Sequence, residues 1–247
     1  MEDTHEALDT AEALIQEFFD SNEAIKAQFR QTISDLLVQY AEALAPAFKR
    51  FHSFAEECGH NVQTGLVGAF VHGVLDDLVI SVKLLVMGKL GPSGNAYRQA
   101  LEGVCMAAMC AYGGTLLVGE KEHNYWQLVV DDDKAARGDL VARQFLRNAE
   151  RLGLNSDGAK QLQESLAAHH DHSHAGRLAL ANRMELGPNG MIYFGGHFDP
   201  AKIEAYRLEM KQRIIGAKWL VELLHALSPQ VKTLVATTSP AAGGRTV

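Results

Sequence analysis

Cysteine is scarce in this 247-residue chain: Cys58, Cys105 and Cys110 are the full complement. They are too few and too unevenly spaced for a disulfide framework or a cysteine-based zinc site. Aromatics amount to 7% and prolines number six, which speaks against a sandwich or barrel, whose strands draw on aromatic and β-branched residues. No cationic start leads into an apolar run, so a secretory signal is not expected. Neither G-x-S-x-G, a P-loop nor G-x-G-x-x-G occurs, so the signatures of α/β-hydrolases, Walker NTPases and dinucleotide folds are missing. A basic excess is missing too: 23 Lys and Arg face 30 Asp and Glu, for a net charge of -7. A dedicated duplex-DNA binder needs a dominant phosphate-neutralising field instead.

What is present is apolar and helix-forming. Apolar residues make up 47% and charged residues 21%, enough core for one large domain or two small ones and too little charge for general disorder. The acidity is local. Residues 1–60 carry twelve acids against Lys26, Arg30, Lys49 and Arg50, while the remainder is close to neutral. Such asymmetry marks either a solvated acidic surface or a segment that docks on a basic partner.

Helical periodicity runs through most of the chain. Leu8, Ala11, Ile15 and Phe18 share a stripe, and a long pattern from Ile25 to Ala55 follows the Asp20-Ser21-Asn22 turn. Pro46 inside that run predicts a kink or break just before it. Residues 64–90 and 93–118 are apolar almost all round, joined at Gly91-Pro92-Ser93-Gly94, a strong turn signal. The longest uncharged stretch, Gly103–Gly119, is 17 residues with four glycines, short of the roughly 20 that a membrane span requires. A buried hairpin is therefore expected rather than a membrane hairpin. Amphipathic helices are expected over 120–130, 134–152, 159–169 and 201–227, with a long loop or small β-hairpin near 177–200. The expected architecture is an all-α bundle of about seven helices around the apolar hairpin. Acidic helices over 1–60 pack on a core of 61–228, and 229–247 form a flexible tail.

Few residues in this pattern are placed for chemistry. Arg98 and Glu102 are four apart in the apolar helix, as are His72 and Asp76 in the preceding one, so each pair shares a helix face. In an antiparallel hairpin the four could form a polar pocket, with Arg98 as anion binder, or an ion-pair cluster that fixes register. His169-His170-Asp171-His172-Ser173-His174 is the densest ligand group. His170 and His174 share a helical face, and His197 and Asp199 could complete a transition-metal site. His170-Asp171 also reads as the centre of an HD-type hydrolase, with His123 and Asp199 as partners. The plainer reading is a polar helix C-terminus. Asp131-Asp132-Asp133 is read as an N-cap ahead of a magnesium motif. Arg143, Arg147 and Arg151 form a basic stripe, either solvated or phosphate-holding. Cys105 and Cys110 read as core.

Asn95-Ala96-Tyr97-Arg98 with Glu102, followed by small apolar residues and later by Ser173-His174-Ala175-Gly176, resembles uncharacterised bacterial proteins grouped with the HEPN (higher eukaryotes and prokaryotes nucleotide-binding) helical bundles. The similarity covers about 64–227. It implies a four-helix core in which Arg98, Glu102 and His174 line one internal site. HEPN ribonucleases carry an Arg followed four to six residues later by His, and no Arg here has a His at that spacing. The expected function is thus a cytoplasmic protein that binds a small anionic or nucleotide-like ligand, or RNA, without a cofactor, and that forms homo-oligomers or binds a protein partner. The alternatives are a hydrolase with a divalent transition metal and a non-catalytic interaction module.

Overall fold

The computed structural model describes residues 10–59, 61–154, 156–170, 177–186, 191–193 and 195–238. In chain order the elements are α1 (Ala11–Phe19), α2 (Glu23–Cys58), α3 (Val62–Val86), α4 (Leu90–Ala111), β1 (Leu116–Val118), β2 (Lys121–His123), α5 (Tyr125–Val130), α6 (Gly138–Arg147), α7 (Ser156–His170), α8 (Arg177–Ala181) and α9 (Ile203–Thr238). Short 3-10 turns occupy Lys134–Ala136 and Pro200–Lys202. The fold is an all-α bundle, and its central feature is the antiparallel pair α3–α4, which share the most extensive contact in the molecule. The long helix α9 lies along α2 and completes the core. That core holds Phe29, Ile33, Tyr40, Val71, Leu78, Tyr97, Cys105, Tyr206, Met210 and Leu220. Among the described residues no helix is long and apolar enough to cross a membrane.

Several boundaries differ from those read in the sequence. The α3–α4 turn lies at Met87-Gly88-Lys89, and Pro92 falls in the first turn of α4, where a missing N–H costs nothing. The apolar run after Glu102 does not stay helical to Val118. Gly113 and Gly114 end it, and residues 116–123 pair as a two-stranded hairpin with Leu116 opposite His123. Pro46 neither kinks nor breaks α2; the irregular backbone is at Ile33 instead (φ -130°, ψ 22°). Pro46 and Glu42, four residues before it, both face solvent, so water can take the carbonyl that the proline leaves unbonded. In the same way α9 passes through Pro229 to Thr238, where a tail was expected. Val231 is buried there and Lys232 pairs with Glu57 of α2 at 3.4 Å. Residues 239–247 lie outside the described set. The 177–200 region contains α8 and a hairpin-like pairing of Met184 with Ile192. Of α1, no residue is buried; Ile15, Phe18 and Phe19 are exposed.

Asn148 fixes the small hairpin to the bundle. Its Oδ1 accepts from Leu117 N at 2.8 Å and its Nδ2 donates to Leu117 O at 3.0 Å, so the amide takes the place of a third strand. The side chain is buried. Asn148→Ala strands two backbone groups and is expected to cost about 2 kcal/mol, read as a lower urea midpoint with an unchanged m-value.

Candidate functional site

Arg98 and Glu102 form the ion pair that their spacing predicts: Arg98 Nε donates to Glu102 Oε1 at 2.8 Å, with the side chains 16% and 19% exposed. They lie on an otherwise uncharged length of α4. Glu102 Oε2 lies beside Gly138, the first residue of α6, where the helix dipole favours a carboxylate. The pair therefore sits where α4 packs against the start of α6.

Ser93 and Tyr97 of α4 belong to a separate ionic centre, one that the sequence reading did not anticipate. Arg213 of α9 is fully buried (0% exposed). Its Nη1 donates to Glu209 Oε2 at 2.5 Å and to Glu209 O at 2.9 Å, and its Nη2 donates to Ser93 Oγ at 2.8 Å. Ser93 in turn donates to Ser81 O of α3 at 2.6 Å. The guanidinium carbon lies 4.9 Å from the Tyr97 ring centroid, a cation–π geometry that stabilises a desolvated cation. Tyr97 donates to Gln212 O at 2.8 Å and meets the His169 ring edge-on at 4.8 Å. His169 Nδ1 is 2.8 Å from Ser165 O, a carbonyl that only accepts, and Nε2 is 3.4 Å from Glu209 Oε2. Burial pushes the hydroxyls of Tyr97 and Tyr40 well above the usual phenol range, against the pull of Arg213. The centre thus links α3, α4, α7 and α9. Among the described residues it holds no pairing of nucleophile and base.

One signal in the sequence could have revealed Arg213. Tyr206, Met210, Arg213, Ala217 and Leu220 recur at three- and four-residue steps, so the arginine falls within the apolar stripe of α9. An arginine there must be buried, and Glu209 four residues earlier is its local partner.

A second polar cluster involves His197, which had been read as a metal ligand. Lys202 is 6% exposed and donates to Ala181 O at 2.8 Å, to Met184 O, and to His197 Nε2 at 3.3 Å. Asp199 Oδ2 stands 3.7 Å from the ammonium. Asp199 also accepts from Leu186 N and Ala201 N, and these donors together with Lys202 hold its carboxyl below the usual range against burial. His197 Nε2 thus lies against the Lys202 ammonium rather than facing an open ligand position. Among the described residues no three metal-capable side chains converge.

The remaining predicted site residues are dispersed. His72 and Asp76 are exposed on α3, His72 with its ring 5.9 Å from that of Phe51, so they close no chamber with Arg98 and Glu102. The cause is that α3 is apolar on most sides but not on all, and this pair marks its solvent face. His174, His172 and Asp171 lie outside the described residues, as does the side chain of His170. His123 is half-buried in β2. Arg143, Arg147 and Arg151 are exposed, and the last two are engaged by the hairpin: Arg147 donates to Gly119 O, and Arg151 to Thr115 O and to Glu122 Oε1 at 2.8 Å. Asp133 caps the 3-10 turn by accepting from Ala135 N, in line with the N-cap reading. Cys58, Cys105 and Cys110 are buried, and burial raises each thiol, Cys58 to about 11, which makes them poor nucleophiles. An open cleft of about 440 Å³ lies between the ends of α4 and α9, lined by Tyr112, Arg151, Gln230 and Thr233 among others. It begins at Ala111, about 20 Å along α4 from Arg98 at 1.5 Å per residue, so it is separate from the ion pair. Compared with family models, curated protein sequences and solved structures, the chain has no match in any of the three.

Proposed function

We propose that the chain is a HEPN-like helical bundle that binds a small anionic, nucleotide-like ligand or RNA through Arg98, with Glu102 holding the guanidinium in place. The observation that carries this reading is the half-buried Arg98–Glu102 pair on an uncharged stretch of α4. A guanidinium at such a depth is partly desolvated yet keeps access to solvent, and its planar fork suits bidentate recognition of phosphate. His174 belongs to the same site on this reading. No Arg–His pair of ribonuclease spacing occurs, so binding rather than cleavage is proposed. A bacterial, cytoplasmic setting and assembly with a second copy or another protein go with it.

The test uses pyrophosphate, AMP and a short fluorescein-labelled single-stranded RNA as probes. At least one of them is expected to bind the wild-type chain and raise its melting temperature. Arg98→Ala is expected to weaken that binding about tenfold or more, because a charge-assisted contact contributes about 1.5–3 kcal/mol. Glu102→Gln retains the cation and falls between the two. Undiminished binding by Arg98→Ala contradicts the reading.

A further inference from the structure

We infer that α1 docks on α9 of a second copy of this chain, laying Leu14, Ile15, Phe18 and Phe19 along the stripe of Leu208, Lys211, Ile215 and Lys218. The inference gives a surface to the self-assembly included in the proposed function, and it does not depend on Arg98.

α1 lies on the bundle the wrong way round for a helix of its pattern. Ala11, Leu14, Ile15, Phe18 and Phe19 form one continuous apolar face at about 100° per residue, and a surface helix ordinarily turns such a face to the core. Here the half-buried residues of α1 are Ala13 and Glu17, on the opposite side. Glu17 Oε1 stands against Gly195, beside the Gly196–Met87 contact at the α3–α4 corner. Phe18 and Phe19 are 73% and 85% exposed, and Leu14 and Ile15 are exposed with them. A contiguous apolar patch with two phenylalanines has the composition of an interface core rather than of scattered surface residues.

Charge selects what covers it. Glu12 and Asp20 are exposed near the two ends of α1, about 12 Å apart along the axis. Acids there repel an anionic lipid surface and nucleic acid, and they oppose the packing of α1 on α1 of another copy. Apolar residues flanked by cations fit instead, and α9 presents them. Leu208 and Ile215 are exposed, and Lys211 and Lys218 are exposed on the same face at three- and four-residue steps. The two lysines stand about 10 Å apart along the helix, close to the spacing of the two acids. Among the described residues neither lysine is ion-paired. Leu208 to Lys218 spans about 15 Å of helix, against about 13 Å for the nine residues of α1. Because α1 leaves the stripe of its own chain bare, the docking is to the other copy, and a two-fold dimer makes the contact twice.

Sedimentation equilibrium of the full chain from about 1 µM to about 100 µM tests this. The wild-type chain is expected to be a dimer at the upper concentration. Phe18→Ser with Phe19→Ser is expected to weaken dimerisation about a hundredfold or more. Since α1 buries no residue, that variant keeps the helical circular dichroism of the bundle. Lys211→Glu with Lys218→Glu is expected to weaken dimerisation about tenfold or more, and adding Glu12→Lys to the same chain to restore part of it. Should the phenylalanine variant not fold, the lysine pair and its rescue decide. A wild-type chain that is monomeric throughout, or a dimer indifferent to either pair of substitutions, overturns the inference. Arg98→Ala is expected to dimerise as the wild type does, so failure of the ligand reading leaves this result standing.

Discussion

Glu209→Ala is expected to be the most destabilising single change in the molecule, costing about 3–5 kcal/mol. The reason is the state in which it leaves Arg213. The guanidinium is fully buried and keeps its charge. Glu209 is the only carboxylate within 4.0 Å of it among the described residues. Ser93 Oγ, the Glu209 carbonyl and the Tyr97 ring remain after the substitution, but these are dipoles and a quadrupole, and they do not balance a desolvated charge. The pair itself adds little net stability, since removing both charges spares their desolvation. The double variant Glu209→Leu with Arg213→Met is therefore expected to recover most of the loss. Chemical denaturation of the two singles and the double gives the coupling directly. A Glu209→Ala variant as stable as wild type would mean that water reaches Arg213.

The second large effect is steric. Gly88 sits at φ +73°, and a Cβ there would overlap the backbone N and O of His197. Neither contact can relax by rotating a side chain, and an L-residue in that backbone region is already strained. Gly88→Ala is expected to cost about 3 kcal/mol or more, and to do so by displacing the 195–199 segment from the corner. Gly65→Ala is a fair control, because Gly65 lies within α3, the helix that leads into the Gly88 turn, and a Cβ there meets nothing within 4 Å. It should be neutral or slightly stabilising, by up to about 1 kcal/mol. Comparable melting temperatures for the two variants would contradict the packing described here.

The parts of the fold that were legible in the sequence are those set by local spacing. The apolar α3–α4 hairpin shows itself because charges thin out after Glu102 and do not return until Glu120. The Arg98–Glu102 pair is legible for the same reason, since four residues on a helix fix a contact without any knowledge of the fold. Pro46 and Pro229 misled because a proline breaks a helix only where the carbonyl four residues before it has no other partner. At both sites that residue, Glu42 or His225, is at the surface. The end of α4 was placed too late because Gly113-Gly114 was read as part of an apolar run rather than as a stop. What surrounds each polar group was not legible. Lys202 reaches back 21 and 18 residues to Ala181 O and Met184 O, and Arg213 meets Ser93 across 120 residues. No period in the sequence encodes such contacts. The exposed apolar face of α1 shows the opposite failure: Ile15 and Phe18 keep helical spacing, yet the structure buries neither.

The central claim is that Arg98 is a ligand-binding cation rather than half of a register-fixing ion pair. The most direct test follows the arginine Nε signals of the ¹⁵N-labelled chain as AMP, pyrophosphate or the RNA is added, with Arg98 assigned by its absence in Arg98→Lys. The account predicts that the Arg98 signal shifts saturably with one of these probes, while that of buried Arg213 stays in place. Signals that remain still under all three, or that move equally for both arginines, would contradict it.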